Sequence, residues 1–148
     1  MRLYTAETMR IVDRAAIEGM GIPSLTLMEN AAEAVVRALV EECPERLEGR
    51  VLILCGKGNN GGDGLAVARL LKGEGYHPEV IVAADPDGLS ADASTQYQRL
   101  TAAGVQPSVA EGDDAPALVS TFASGADLVV DALLGTGLGG PLRGRYLE

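Results

Sequence analysis

Apolar and polar positions along the chain change period twice. From Thr5 to about Glu18, Met9, Val12, Ala16 and Ile17 recur at helical spacing, with Thr5 placed to cap the first turn. Gly19-Met20-Gly21-Ile22-Pro23 breaks that helix. Ser24 can cap a second one, which carries Leu25, Leu27, Met28, Ala31, Ala32, Val35, Val36, Leu39 and Val40 until Pro44 ends it. At Arg50 the pattern switches to a short continuous apolar run, Val51-Leu52-Ile53-Leu54-Cys55, the signature of a strand buried on both faces. A glycine-rich loop and a helix from about Gly64 to Glu74 follow. Further along, strands are expected at Glu79–Ala84, Val105–Ala110 and Asp127–Ala132, separated by helices over Ser90–Ala103 and Ala115–Ala123.

Strands alternating with helices define an α/β class with a mainly parallel sheet, and right-handed crossovers are the expected connection. The expectation is a three-layer Rossmann-like fold preceded by two N-terminal helices. There is no internal repeat, and Ala83–Ser90 reads as a loop rather than a domain linker. After the fourth strand, Gly139–Glu148 reads as a loop where a helix and another strand should come next. Residues 1–148 therefore read as one domain, cut short on its C-terminal side.

Composition narrows the function classes. With 148 residues, 47% hydrophobic and 22% charged, the chain is long enough to bury a core and ordinary for a globular domain. The formal charge of −9 argues against a sequence-independent nucleic-acid binder, which needs a basic surface. It leaves room for a nucleotide, because a few backbone N–H groups can hold a pyrophosphate locally. Cys43 and Cys55 form no CxxC or Cys/His cluster, so zinc is not expected, and two free thiols suit a reducing cytosol. The N-terminus lacks the apolar core of a secretory signal, and no run is long enough to span a bilayer. A cytoplasmic location follows as the expectation.

Gly56-Lys57-Gly58-Asn59-Asn60-Gly61-Gly62-Asp63-Gly64 carries most of the chemistry. It follows a buried strand and opens a helix, where backbone N–H groups and the helix dipole can meet an anion. Glycine permits positive φ and close approach of phosphate to the backbone. Five glycines in nine residues, with two Asn and an Asp, exceed what a tight turn requires. Gly56, Gly58 and Gly61 also match GxGxxG, with Asp85 at a plausible distance for a ribose contact. An ordinary dehydrogenase is disfavoured, however, because two helices precede the motif and its Asn-Asn and Asp-Gly are not needed for a pyrophosphate turn. No Gly-Lys-Ser/Thr occurs, so a Walker loop is excluded.

Three stretches together carry a resemblance: Leu27-Met28-Glu29-Asn30-Ala31-Ala32, Gly58-Asn59-Asn60-Gly61-Gly62-Asp63-Gly64, and Val130-Asp131-Ala132-Leu133-Leu134-Gly135-Thr136-Gly137-Leu138. In order and spacing, across nearly the whole chain, they resemble the NAD(P)HX epimerase family, also called the YjeF N-terminal domain. The resemblance implies an isomerase for nicotinamide nucleotide repair that interconverts the R and S forms of NAD(P)HX, the hydrates of NADH and NADPH. It implies K+ as the bound cation. It places the NAD(P)HX site on Asn59, Asn60, Gly61, Gly62 and Asp63 and on Gly135, Thr136, Gly137, Leu138, Gly139, Gly140 and Pro141, with Asn60 and Asp131 as potassium ligands. Implied partners are the NAD(P)HX substrate, a homodimer mate, and a C-terminal ADP/ATP-dependent NAD(P)HX dehydratase domain in the natural chain. The family's later Pro-Ser-Gly-Leu-Asp motif has no counterpart here, so the acid/base Asp is expected beyond residue 148.

The chemistry agrees on its own terms. A hard monovalent cation wants oxygen ligands, and Asn60 and Asp131 supply two at strand ends. Thr136 adds a hydroxyl to a second glycine-rich loop. Simpler roles compete at each position. Asp131 could cap the following turn or pair with a lysine, Asp63 is a candidate acid/base carboxylate or a cap for helix N–H groups, and Glu29 and Asn30 either approach the site or a subunit interface or form an exposed polar pair. His77 reads as a surface residue and Lys57 as either a phosphate contact or solvated. The alternative function is a non-catalytic nucleotide-binding or scaffolding module on the same fold.

Overall fold

The computed structural model describes residues 4–137. The expected calls on Leu138, Gly139, Gly140 and Pro141 lie outside the described residues. Thr5 does cap the first helix: its side chain accepts from the Thr8 N–H, and α1 runs Ala6–Arg14 before loosening into a π-helical turn over Ala15–Gly19. Its apolar residues stay uncovered, with Met9, Ile11 and Val12 all exposed and no residue of α1 buried.

The second helix, α2, spans Ser24–Glu42, with Pro23 rather than Ser24 in the cap position. Pro44 ends it as expected, yet also starts a short α3, Pro44–Leu47, because proline's missing N–H is no loss at a first helical position. The remaining elements are β1 (Val51–Cys55), α4 (Asn59–Gly73), β2 (Glu79–Val82), α5 (Ala91–Ala102), β3 (Ser108–Val109), α6 (Ala115–Ala123) and β4 (Leu128–Ala132). The third strand is shorter than its apolar pattern suggested. Pro107 immediately precedes it and offers no N–H, and only Ser108 and Val109 pair with β2.

All four strands are parallel, in the order β3-β2-β1-β4. The alternation along β1 divides the core into two layers. Val51, Ile53 and Cys55 face α2, α4 and α5 through Ala32, Val36, Leu65, Ala68, Leu71 and Leu100. Leu52 and Leu54 face α6 through Ala115, Leu118, Val119 and Phe122. Helices therefore cover both faces, and the three-layer Rossmann-like arrangement is what forms. The chain winds outward from β1 to β3, then returns to place β4 on the other side of β1. The crevice above the C-terminal ends of β1 and β4 is thus the topological switch point, where open α/β sheets bind ligands.

Helix α4 lies hard against the sheet. A Cβ on Gly64 would stand 2.6 Å from the Ala132 Cβ and 2.9 Å from the Cys55 Sγ. Neither neighbour is the free end of a flexible side chain, so the helix itself would have to lift. Gly64→Ala is expected to lower stability by about 1–3 kcal/mol in urea unfolding, the usual cost of overpacking. An unchanged midpoint would show that α4 is not held at this distance.

Candidate functional site

The glycine-rich segment after β1 is mostly helix. The sequence pattern starts α4 near Gly64, whereas the helix begins at Asn59, five residues earlier, with Gly58 as an extended N-cap. The Gly62 N–H donates to the Gly58 carbonyl at 3.0 Å, closing the first turn. None of the glycines from Gly56 to Gly64 has positive φ. They are small for another reason, which is close approach. A Cβ on Gly56 would sit 2.0 Å from the Leu133 carbonyl oxygen, and one on Gly61 would sit 1.8 Å from the Gly56 carbonyl oxygen. At Gly62 it would meet the Met28 Cε of α2 at 2.7 Å and the Ala93 Cα of α5 at 3.2 Å.

That packing fixes the first turn of α4 directly over the switch point. The amides of Asn59, Asn60 and Gly61 have no carbonyl behind them within the helix, and the positive end of the helix dipole lies there. Asn59 and Lys57 are tied to the next helix. The Ser90 Oγ donates to the Asn59 Oδ1 at 2.8 Å, and the Ser90 N–H donates to the Lys57 carbonyl at 2.8 Å. Ser90 also accepts from the Ala93 N–H and so caps α5. Asp85, considered for a ribose contact, instead accepts from the Asp87 N–H and caps a 3-10 turn.

From the other strand, the Gly56 N–H donates to the Ala132 carbonyl at 3.0 Å, which locks the two strand ends together. Beyond β4 the chain turns so that a Cβ on Gly135 would lie 3.0 Å from the Asn60 Cβ and 3.7 Å from its Oδ1. The two expected loops thus meet at Asn60 and Gly135. Thr136 and Gly137 follow, exposed. Asp131 ends β4 exposed, and its Oδ1 accepts from the Leu133 N–H at 2.9 Å. It caps the turn with one carboxylate oxygen, and among the described residues Oδ2 accepts no hydrogen bond.

Asp63 is not a helix cap. It sits on the fifth residue of α4, half-buried, with no hydrogen bond among the described residues. Burial, and then the nearby carboxylate of Asp13 on α1, push its pKa up to about 6. His77 is exposed, against Lys72, as a surface residue should be.

Glu29 is a residue whose structural role the sequence reading missed. It is not half of an exposed polar pair. Its Oε1 accepts from Gln96 Nε2 at 2.8 Å and from Arg99 Nη1 at 2.7 Å, and its Oε2 accepts from Arg69 Nη2. Burial works to raise its pKa, but the Gln96 hydrogen bond and the two guanidiniums outweigh that and hold it below its ordinary value. A signal was available: Glu29, Ala32 and Val36 fall at helical spacing on the stripe of α2 that faces the core, where a lone carboxylate requires partners.

A family model, the YjeF-related protein N-terminus, matches residues 24–148. The chain belongs to the YjeF N-terminal family. This YjeF chain is 43% identical over 145 residues to an NAD(P)H-hydrate epimerase of Rhodopirellula baltica, covering 97% of the chain and 56% of that protein. It is 41% identical over 148 residues to a bifunctional NAD(P)H-hydrate repair enzyme, Nnr, of Salinibacter ruber, covering 95% of the chain and 27% of that protein. The chain therefore spans about half of the one relative and about a quarter of the other. Among solved structures it resembles yeast ynu0 (YNL200c), with a TM-score of 0.82 at 25% identity over 99% of this chain and 62% of that one. No helix among the described residues is long and apolar enough to cross a membrane.

The raised proton affinity of Asp63 has a stability consequence of known sign. Such a carboxyl holds its proton more tightly when folded. The stability is fully present below the ordinary carboxyl value of 3.8 and is lost as pH rises through about 6. Asp63→Asn removes that loss. Allowing for solvent screening of a half-exposed group, its Tm at pH 7.5 is expected to exceed wild type by about 2–4 °C, with the difference vanishing toward pH 4. A lower Tm for the variant at both pH values would contradict this account.

Proposed function

We propose that this chain is the nucleotide- and cation-binding part of an NAD(P)H-hydrate epimerase, a cytoplasmic isomerase that interconverts the R and S forms of NAD(P)HX. One observation carries the reading. The first turn of α4 and the segment after β4 meet at Asn60 and Gly135 above the switch point, in a chain with epimerase-named relatives. In this reading the amides of Asn59, Asn60 and Gly61 face the pyrophosphate, where the helix dipole favours an anion. Gly61 and Gly62 leave room for the nucleotide to approach the backbone. Gly135, Thr136 and Gly137 close on it from β4, and the family resemblance adds Leu138, Gly139, Gly140 and Pro141 to the substrate-binding set.

Asn60 and Asp131 fit a potassium ion by donor chemistry. One is an amide carbonyl, the other a carboxylate with its Oδ2 uncommitted, and both are hard oxygens. Bound there, the cation would offset negative charge beside the nucleotide. At the reacting carbon of the hydrate, hydroxyl and ring nitrogen share one centre. Inverting it requires the C–O bond to break and reform through an iminium, or the ring to open, and either route needs a proton donor and acceptor. Asp63, with a pKa of about 6, can hold or release a proton near neutrality. By the family resemblance a further acid/base carboxylate comes from a Pro-Ser-Gly-Leu-Asp motif, which residues 1–148 do not contain. A homodimer and a fused dehydratase domain in the natural chain complete the proposal, the latter supported by relatives named as bifunctional enzymes.

The test uses the full-length natural protein, wild type and Asp131→Ala, each mixed with R-NADHX in potassium buffer. Conversion to the S form is followed by chromatography. Wild type is expected to convert it well above the spontaneous rate, and Asp131→Ala to lose about 100-fold or more, as for removal of a metal ligand. A folded, nucleotide-binding wild type with no turnover would overturn the epimerase reading and favour a binding or scaffolding module.

A further inference from the structure

We propose that Glu29 is a positioning residue for the first turn of α4, holding α2, α4 and α5 at the separation that the Asn59–Asp63 segment needs to bind its nucleotide. The proposal rests on the epimerase reading for its substrate. Its geometry stands independently.

Three helices converge on one point of the site. Gly62 of α4 lies between Met28 of α2 and Ala93 of α5, so close that a Cβ would meet both. Immediately below, α4 and α5 supply polar groups to an anion on α2. Glu29 is the residue after Met28, Gln96 lies one turn beyond Ala93, and Arg69 lies two turns beyond Gly62. Arg99 closes the cluster from α5. Glu29 and Arg69 are each about three-quarters buried. Gln96 is fully buried, and among the described residues its Oε1 has no hydrogen-bond partner, so within them its amide is held from the Glu29 side.

Remove the charge on Glu29 and two guanidiniums on neighbouring helices confront each other with no anion between them. Repulsion in a half-buried setting then pushes α4 and α5 apart. The Asn59–Ser90 hydrogen bond bridges those same two helices at the site end. Separation below therefore becomes a misplaced Asn59 above. An oriented amide set tolerates little displacement, and a shift of about 1 Å can cost binding or rate by about 100-fold.

The experiment compares full-length wild type, Glu29→Gln, the double variant Glu29→Gln/Arg99→Gln, and Leu100→Ala as a core control in α5. Glu29→Gln is expected to raise KM for the hydrate by about 10-fold while kcat stays within about threefold, since ligand placement suffers before chemistry does. Amide hydrogen exchange at Gly62, Asp63 and Gly64 should quicken by about 10-fold with Ile53 and Leu54 of β1 unchanged. The double variant should recover much of both losses, because deleting one cation relieves the repulsion. Leu100→Ala should lower Tm and leave KM and those amides alone. The proposal is overturned if the double variant is worse than the single, or if Leu100→Ala moves KM and the α4 amides as far as Glu29→Gln does. Should wild type show no epimerisation, the function reading fails and the exchange pattern still decides the positioning role.

Discussion

The site depends on a backbone-to-backbone approach that no side chain could allow. At the ends of β1 and β4 the chain folds so tightly that the carbonyl oxygens of Leu133 and Gly56 occupy the places where Cβ atoms of residues 56 and 61 would be. This contact brings the start of α4 down onto the sheet and aims its first amides into the crevice. It also explains why the segment is so rich in glycine without using glycine's left-handed conformations, which appear instead at Gly21, Gly75, Gly104 and Gly112 in turns and breaks. Here the chemical role of glycine is the absence of a side chain, and the position of the first turn of α4 above the sheet follows from close packing.

The same economy of space governs the helices above. Gly62 admits Met28 and Ala93 to within contact of the α4 backbone, and the charge cluster on Glu29 lies in the next layer. Apolar contact alone is non-directional and would accept a range of helix separations. A carboxylate shared among Gln96, Arg69 and Arg99 is directional, and it fixes the three helices relative to one another. A half-buried ion cluster is weak evidence for net stability, since desolvation offsets much of its attraction. Beneath the first turn of α4, the proposed role of this cluster is geometric more than energetic.

Much of this was legible in the sequence, and the exceptions have physical causes. The continuous apolar run Val51–Cys55 identified a central parallel strand, and the alternation of strands with helices fixed the class. The period rule does not report where a glycine-rich stretch becomes helical, because propensity argues against helix at Gly61 and Gly62 while tertiary contact demands it. The start of α4 was accordingly placed five residues late. Strand order was not readable either, since neighbours in a parallel sheet are set by crossovers and not by local pattern. The candidate residues Asn60 and Gly135 could be paired only through the motif resemblance, as nothing in their spacing brings them together. The partners of Glu29 were not readable because they lie 40, 67 and 70 residues away in the chain.

In the epimerase reading an acidic chain of net charge −9 hosts an anionic dinucleotide, and the layout of the crevice resolves the tension. Long-range repulsion from surface carboxylates is screened within about 8 Å at physiological ionic strength, whereas dipoles at the helix end act at contact. The two carboxylates nearest the proposed ligand are handled differently. Asp131 commits one oxygen to the Leu133 amide, and among the described residues its other oxygen accepts no hydrogen bond. Asp63 is half-buried beside Asp13, and its charge is made costly until pH passes about 6. In the epimerase reading a bound cation would turn the first carboxylate from a source of repulsion into part of a neutral pair. The second would carry a proton for part of the time in a site that must exchange one. In that reading the burial of Asp63 costs stability locally, as is expected of a carboxyl whose proton is used in the site's chemistry.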